Sequence, residues 1–152
     1  MNKYPTIKTT LPSNKEFKTI VSVGEHQLIL DEPLGSGGNN KGPTPTQTAI
    51  AALGACVAMT IKIYLDHKDW KFESIDCDLD FKIEKIEDPS VLSEEEQKYV
   101  VRGQLRRINN TITMKADFDE NQINRIKIIA GKCPVHKLME GSVLIEDEVK
   151  LI

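Results

Sequence analysis

The stretch Thr44-Pro45-Thr46-Gln47-Thr48-Ala49-Ile50-Ala51-Ala52-Leu53-Gly54-Ala55-Cys56-Val57-Ala58-Met59 decides how this chain folds. Thr44 can cap a helix, Pro45 suits its first position, and Gln47 completes a capping box. The pattern predicts a helix to about Asp66 or His67, roughly 22 residues and ~33 Å at 1.5 Å per residue. Its middle is apolar on every face, so it should be enclosed by protein rather than laid on a surface. Its Ala residues and Gly54 permit close backbone approach. Enclosing such a helix takes more sheet and helix than one small subunit readily supplies. Wrapping by a second subunit is the natural solution.

Toward the N-terminus, Phe17–Val23 and His26–Leu30 read as strands around Gly24-Glu25, which suits a tight hairpin turn. Pro33–Pro43, with four glycines, is a loop by composition. Toward the C-terminus, Cys77–Ile86 alternates as a strand with one polar face, Asp88–Gln97 is a charged excursion, and Leu105–Phe118 returns to strand. Asp119-Glu120-Asn121-Gln122 is a second capping box, and its helix is stopped by Gly131. Cys133 occupies an N-cap position ahead of Pro134, with a short helix to Met139, and 143–152 reads as a final strand. The predicted order is β-β-α-β-β-α-α-β: an α+β protein, expected to be a single domain over 1–152.

A net charge of −3 without a Lys/Arg-rich block or a series of stacking aromatics argues against a nucleic-acid partner. The apolar run ends at Lys62, short of the ~18 residues of a membrane span, so no membrane partner is expected. The opening Met1-Asn2-Lys3-Tyr4-Pro5-Thr6 lacks the apolar stretch of a secretory signal, and three cysteines are an odd number. Together these predict a reducing cytoplasm, where a disulfide would be transient rather than structural.

Two thiols stand out. Cys133, at a helix start beside Lys132, His136 and Lys137, is placed for thiolate formation; equally, it is a small capping residue beside a proline. Cys56, in an apolar helix, is by itself read more readily as a small hydrophobe. An unequal pair of this kind is what thiol redox chemistry needs. Cys77, in the polar half of its strand pattern, has no activating neighbour and reads as incidental. Zinc on Cys56, Cys133, His136 and His67 lacks Cys-x-x-Cys or His-x-x-x-His spacing, and the glycine loop lacks the Gly-Lys-Ser/Thr of a phosphate cradle. Neither metal nor cofactor is expected.

Asp31-Glu32-Pro33, Gly37-Gly38, Gly42-Pro43-Thr44-Pro45, Ala51–Cys56 with Met59-Thr60, and Ile128-Ile129-Ala130-Gly131-Lys132-Cys133-Pro134-Val135-His136 together resemble the OsmC/Ohr family. The resemblance spans most of the chain, with two cysteine motifs in the family's order. It implies antiparallel sheets around a long central apolar helix in an intertwined homodimer. It also implies thiol-dependent reduction of organic hydroperoxides, with an external thiol or dithiol as reductant. By position Cys56 would be the peroxidatic thiol, and Cys133 would resolve it as a disulfide. Members characterised as reductases use an arginine from the N-terminal region and a glutamate near the start of the first-cysteine helix. Here the first arginine is Arg102, and Gln47 stands about where the glutamate belongs. Glu32 could supply the carboxylate, Lys18, Lys41 or His26 the cation, and His136 further support at the second cysteine. Two expectations follow: a thiol peroxidase, or a non-catalytic dimer that binds an apolar small molecule or senses redox state through its thiols.

Overall fold

The computed structural model describes residues 5–12, 16–141 and 143–150. The backbone divides into two compact units, Met1–Ile50 and Ala51–Ile152. In the first, β1 (Ile7–Thr10), β2 (Thr19–Val23) and β3 (His26–Leu30) form an antiparallel sheet in the order β1-β2-β3. The predicted hairpin forms at Gly24, whose φ of +58° is the left-handed conformation its turn requires. The following loop folds back on β3 so tightly that side chains are excluded. A Cβ on Gly38 would sit 1.9 Å from the Glu32 carbonyl oxygen, and one on Gly42 2.1 Å from that of Ile29.

α1 (Pro45–Lys68) begins in the first unit and runs through the second. Its capping box forms as predicted: the Thr44 amide donates to Gln47 Oε1 at 2.9 Å, and the Gln47 amide donates to Thr44 Oγ1 at 3.2 Å. In the second unit β4 (Ser74–Lys85) pairs antiparallel with β6 (Gln104–Lys115) along all twelve residues of each, and the two-residue β5 (Val100–Val101) borders only the start of β6. The excursion between β4 and β5 carries α2 (Glu94–Gln97), capped by Ser93. α3 (Glu120–Ala130) starts on the predicted Asp119/Gln122 box, and α4 (Pro134–Met139) follows with Cys133 at its N-cap.

The core of this unit is the α1 stripe Leu53, Val57, Ile61 and Leu65 with Ile126 of α3 and Cys133. Ile75, Cys77 and Leu79 from β4, with Ile108, Ile112 and Met114 from β6, pack against it. Burying each large aliphatic side chain contributes roughly 1.5–3 kcal/mol. Gly54 is the point of closest approach: a Cβ there would lie 2.5 Å from Leu79 Cδ1 and 3.7 Å from Cys77 Cβ.

Three expectations change. Cys77 belongs to the inward row of β4, packed on the core, while Asp76, Asp78 and Asp80 point outward; the register assigns the thiol to the apolar face. The predicted last strand does not form over 143–150, and Val143, Leu144, Ile145 and Val149 lie exposed. Residues 151–152 of that prediction fall outside the described set. A strand needs a partner for its backbone groups, and among the described residues no strand pairs with the segment. Finally, α1 does meet the length and hydropathy of a membrane span: every 18-residue window contains Lys62, yet the most apolar averages a hydropathy of 1.8. One stripe of the helix is core to the second unit, whereas Ala52, Ala55, Met59 and Ile63 are exposed, the last two at 64% and 70%.

Candidate functional site

Cys56 and Cys133 meet. Cys56 lies on α1 between Leu53 and Val57, packed against the buried stripe and itself half-buried, whereas Cys133, at the turn between α3 and α4, is 0% exposed. The Cys133 thiol lies within hydrogen-bonding reach of the Cys56 side chain, and both cysteines are free. The cause lies in the elements: α3 ends at Ala130, and the Gly131-Lys132 turn delivers Cys133 to the flank of α1 where Cys56 faces. Residues 77 positions apart along the chain thus become neighbours.

The electrostatics reverse one sequence-based expectation. A helix start should make Cys133 the easier thiol to ionise, and the amides of His136 and Val135 do favour its thiolate. Burial outweighs them, the Cys56 thiol adds to it, and the pKa of Cys133 rises above the ordinary 9.0. The sulfur makes no full capping hydrogen bond to those amides, so their influence is partial. Cys133 is therefore held as the neutral thiol.

The supporting residues are placed differently from one another. Gln47 is exposed in the first turn of α1, and its side chain is committed to the Thr44 amide. His136 turns away to Glu140, with Nε2 3.1 Å from Oε1. Lys18, His26, Glu32 and Lys41 all lie in the first unit. There the organising acid is Asp31, not Glu32. Asp31 is 1% exposed and accepts from the amides of Glu32 (2.8 Å), Asn39 (3.1 Å) and Lys41 (3.0 Å). The Lys41 amide above all keeps its carboxyl ionised below the usual range, against the opposing effect of burial. The sequence signal for this was an Asp ahead of a glycine loop, a pattern in which the side chain replaces missing backbone acceptors. In the second unit, Arg125 Nε lies 3.3 Å from Tyr64 Oη and its guanidinium stacks 5.8 Å from that ring; Arg107 bridges Glu84 and Glu96. Among the described residues no cluster of His, Cys, Asp and Glu is arranged to hold a metal ion.

Residues 38–147 match the model of the OsmC-like protein family. The chain belongs to that family. Among solved structures it resembles an OsmC-like protein from Mycoplasma pneumoniae, with 19% identity, TM-score 0.68 and coverage of 93% of this chain and 91% of that one. It also resembles an organic hydroperoxide resistance protein OsmC from Legionella pneumophila (16% identity, TM-score 0.60, 90% of each chain). A third is the organic hydroperoxide resistance protein from Elizabethkingia anophelis (17% identity, TM-score 0.61, 93% of each chain). At these identities the likeness carries the fold. Comparison with curated proteins finds no match.

Proposed function

We propose that this OsmC-like protein is a thiol-dependent peroxidase that reduces organic hydroperoxides in the cytoplasm. Cys56 attacks the peroxide oxygen and is oxidised to a sulfenic acid as the alcohol leaves. Cys133 then attacks the Cys56 sulfur, water leaves, and a Cys56–Cys133 disulfide remains for an external dithiol to open. The observation that carries the reading is the contact between the half-buried Cys56 and the buried Cys133. Two relatives of the same fold carry hydroperoxide resistance in their names. A neutral, buried second thiol suits the resolving role, because it survives until its partner has reacted.

The working unit is a homodimer in this proposal. Support comes from apolar faces left bare: Met59 and Ile63 on α1, Ile7, Phe17, Leu28 and Ile29 around the first sheet, and Leu144, Ile145 and Val149 after α4. Sedimentation should give twice the chain mass, and Met59→Asp with Ile63→Asp should shift it to monomer; a monomeric wild type contradicts the dimer.

The test of activity is consumption of cumene hydroperoxide with a dithiol, where Cys56→Ser should lose essentially all turnover. Equal rates would remove Cys56 from the mechanism. A second reading, a dimer that binds an apolar small molecule or senses redox state through its thiols without turnover, has its own support. Gln47 is uncharged and engaged in its cap. A groove of about 370 Å³ along β6 and α3 is lined by Ile112, Met114, Phe118, Ile123 and Ile126 with Asn110. Ligand retained through purification, with no turnover of any hydroperoxide, decides for it.

A further inference from the structure

The disulfide chemistry above leaves open which sulfur the reductant attacks, and the surroundings of the two thiols differ enough to answer. We infer that the external thiol attacks the Cys56 sulfur and that Cys133 is the leaving group, so the mixed disulfide forms on Cys56 alone. The inference rests on the proposed Cys56–Cys133 pair but does not require that peroxide be its oxidant.

Thiol–disulfide exchange runs through a near-linear array of attacking, central and leaving sulfurs, and access to the central sulfur governs it. Cys133 is 0% exposed, a member of the core cluster with Leu53, Val57 and Ile126. Cys56 is only half-buried, packed against the edge of that cluster from α1. An outside thiolate can therefore reach Cys56 with Cys133 behind it, whereas the reverse array would place the attacker inside the core. Acidity on the leaving side works against this direction, since burial raises the pKa of Cys133 and the amides of His136 and Val135 at the start of α4 offset that only in part. Access to the central sulfur, set by the unequal exposure of the two thiols, carries the inference.

The reductant thiol gives its proton to water, its thiolate bonds to Cys56, the sulfur–sulfur bond breaks, and Cys133 leaves with the electron pair. Cys133 then takes a proton from water. The second thiol of the dithiol, likewise deprotonated, attacks its own sulfur in the mixed disulfide and releases Cys56. The dithiol ends as a disulfide, and both cysteines are reduced.

The experiment forms the disulfide with diamide, independently of peroxide, adds limiting 2-mercaptoethanol, quenches with acid within seconds and maps the adducts by peptide mass. The adduct is expected on Cys56 over Cys133 by roughly tenfold or more, because only the Cys56 sulfur is open to an outside thiol. As a second measurement, free thiols are titrated with an aromatic disulfide reagent in Cys133→Ala and Cys56→Ala. Cys56 in the former should label faster than Cys133 in the latter by a similar factor. Adducts on Cys133, equal partition, or failure of diamide to join the pair overturns the inference. Adduct on Cys56 in a protein that consumes no hydroperoxide upholds it while refuting the peroxidase reading.

Discussion

Cys133 illustrates how one residue can meet opposing demands. Its helix start favours charge, its burial forbids it, and burial is the larger effect. The sign of the consequence is fixed. A thiol whose pKa is raised in the folded protein contributes stability below its unfolded value of 9.0, and loses that contribution as pH climbs through the folded value. Alkylation of Cys133 by iodoacetamide in the folded, reduced protein should thus remain slow through pH 9 and accelerate only above it. In urea it should reach half its limiting rate near pH 9. Rapid alkylation of folded Cys133 at neutral pH would contradict the assigned environment. Asp31 shows the opposite balance, since three amide donors overcome burial and keep the carboxylate charged within a closed loop.

At the scale of elements, glycines mark where backbone meets backbone and where helix meets side chain. Gly42 faces the Ile29 carbonyl oxygen at 2.1 Å from an added Cβ, and neither strand nor loop can yield cheaply. Gly42→Ala should cost about 2–3 kcal/mol through overpacking. Gly54→Ala meets only the end of the Leu79 side chain, which can rotate, and it gains about 1 kcal/mol in helix propensity. Its net effect should stay within about 1 kcal/mol. Urea midpoints of the two variants check the contrast, and a greater loss at Gly54 would refute it. The same distinction explains what could be read in advance. The starts of α1, α3 and α4 were legible because caps are local chemistry between Thr44 and Gln47, Asp119 and Gln122, or Cys133 and Pro134. The inward facing of Cys77 and the role of Asp31 were not. Each depends on a sheet register or loop closure set by residues far away in sequence. The last strand, read from its alternation, is missing over 143–150 for a related reason, since alternation states a willingness to pair and not a partner.

Across the whole molecule, the apolar residues of α1 divide between a stripe that is the core of the second unit and a stripe that stays bare. The first sheet and the segment after α4 expose further apolar residues. In the proposed homodimer a second copy would cover these residues. The juxtaposition of Cys56 and Cys133 needs no second copy, since both sulfurs lie in the second unit of one chain. The family resemblance named the two cysteines. Their contact and unequal exposure came from the folding of α3 and α4 against α1, which no local pattern specifies.

The most direct test treats the reduced protein with one equivalent of cumene hydroperoxide and maps its disulfides by peptide mass without reduction. The account predicts a single link, Cys56 to Cys133 within one chain, with Cys77 left as a free thiol. A protein whose Cys56 stays unoxidised, or whose Cys56 pairs with Cys77 or across subunits, would contradict it.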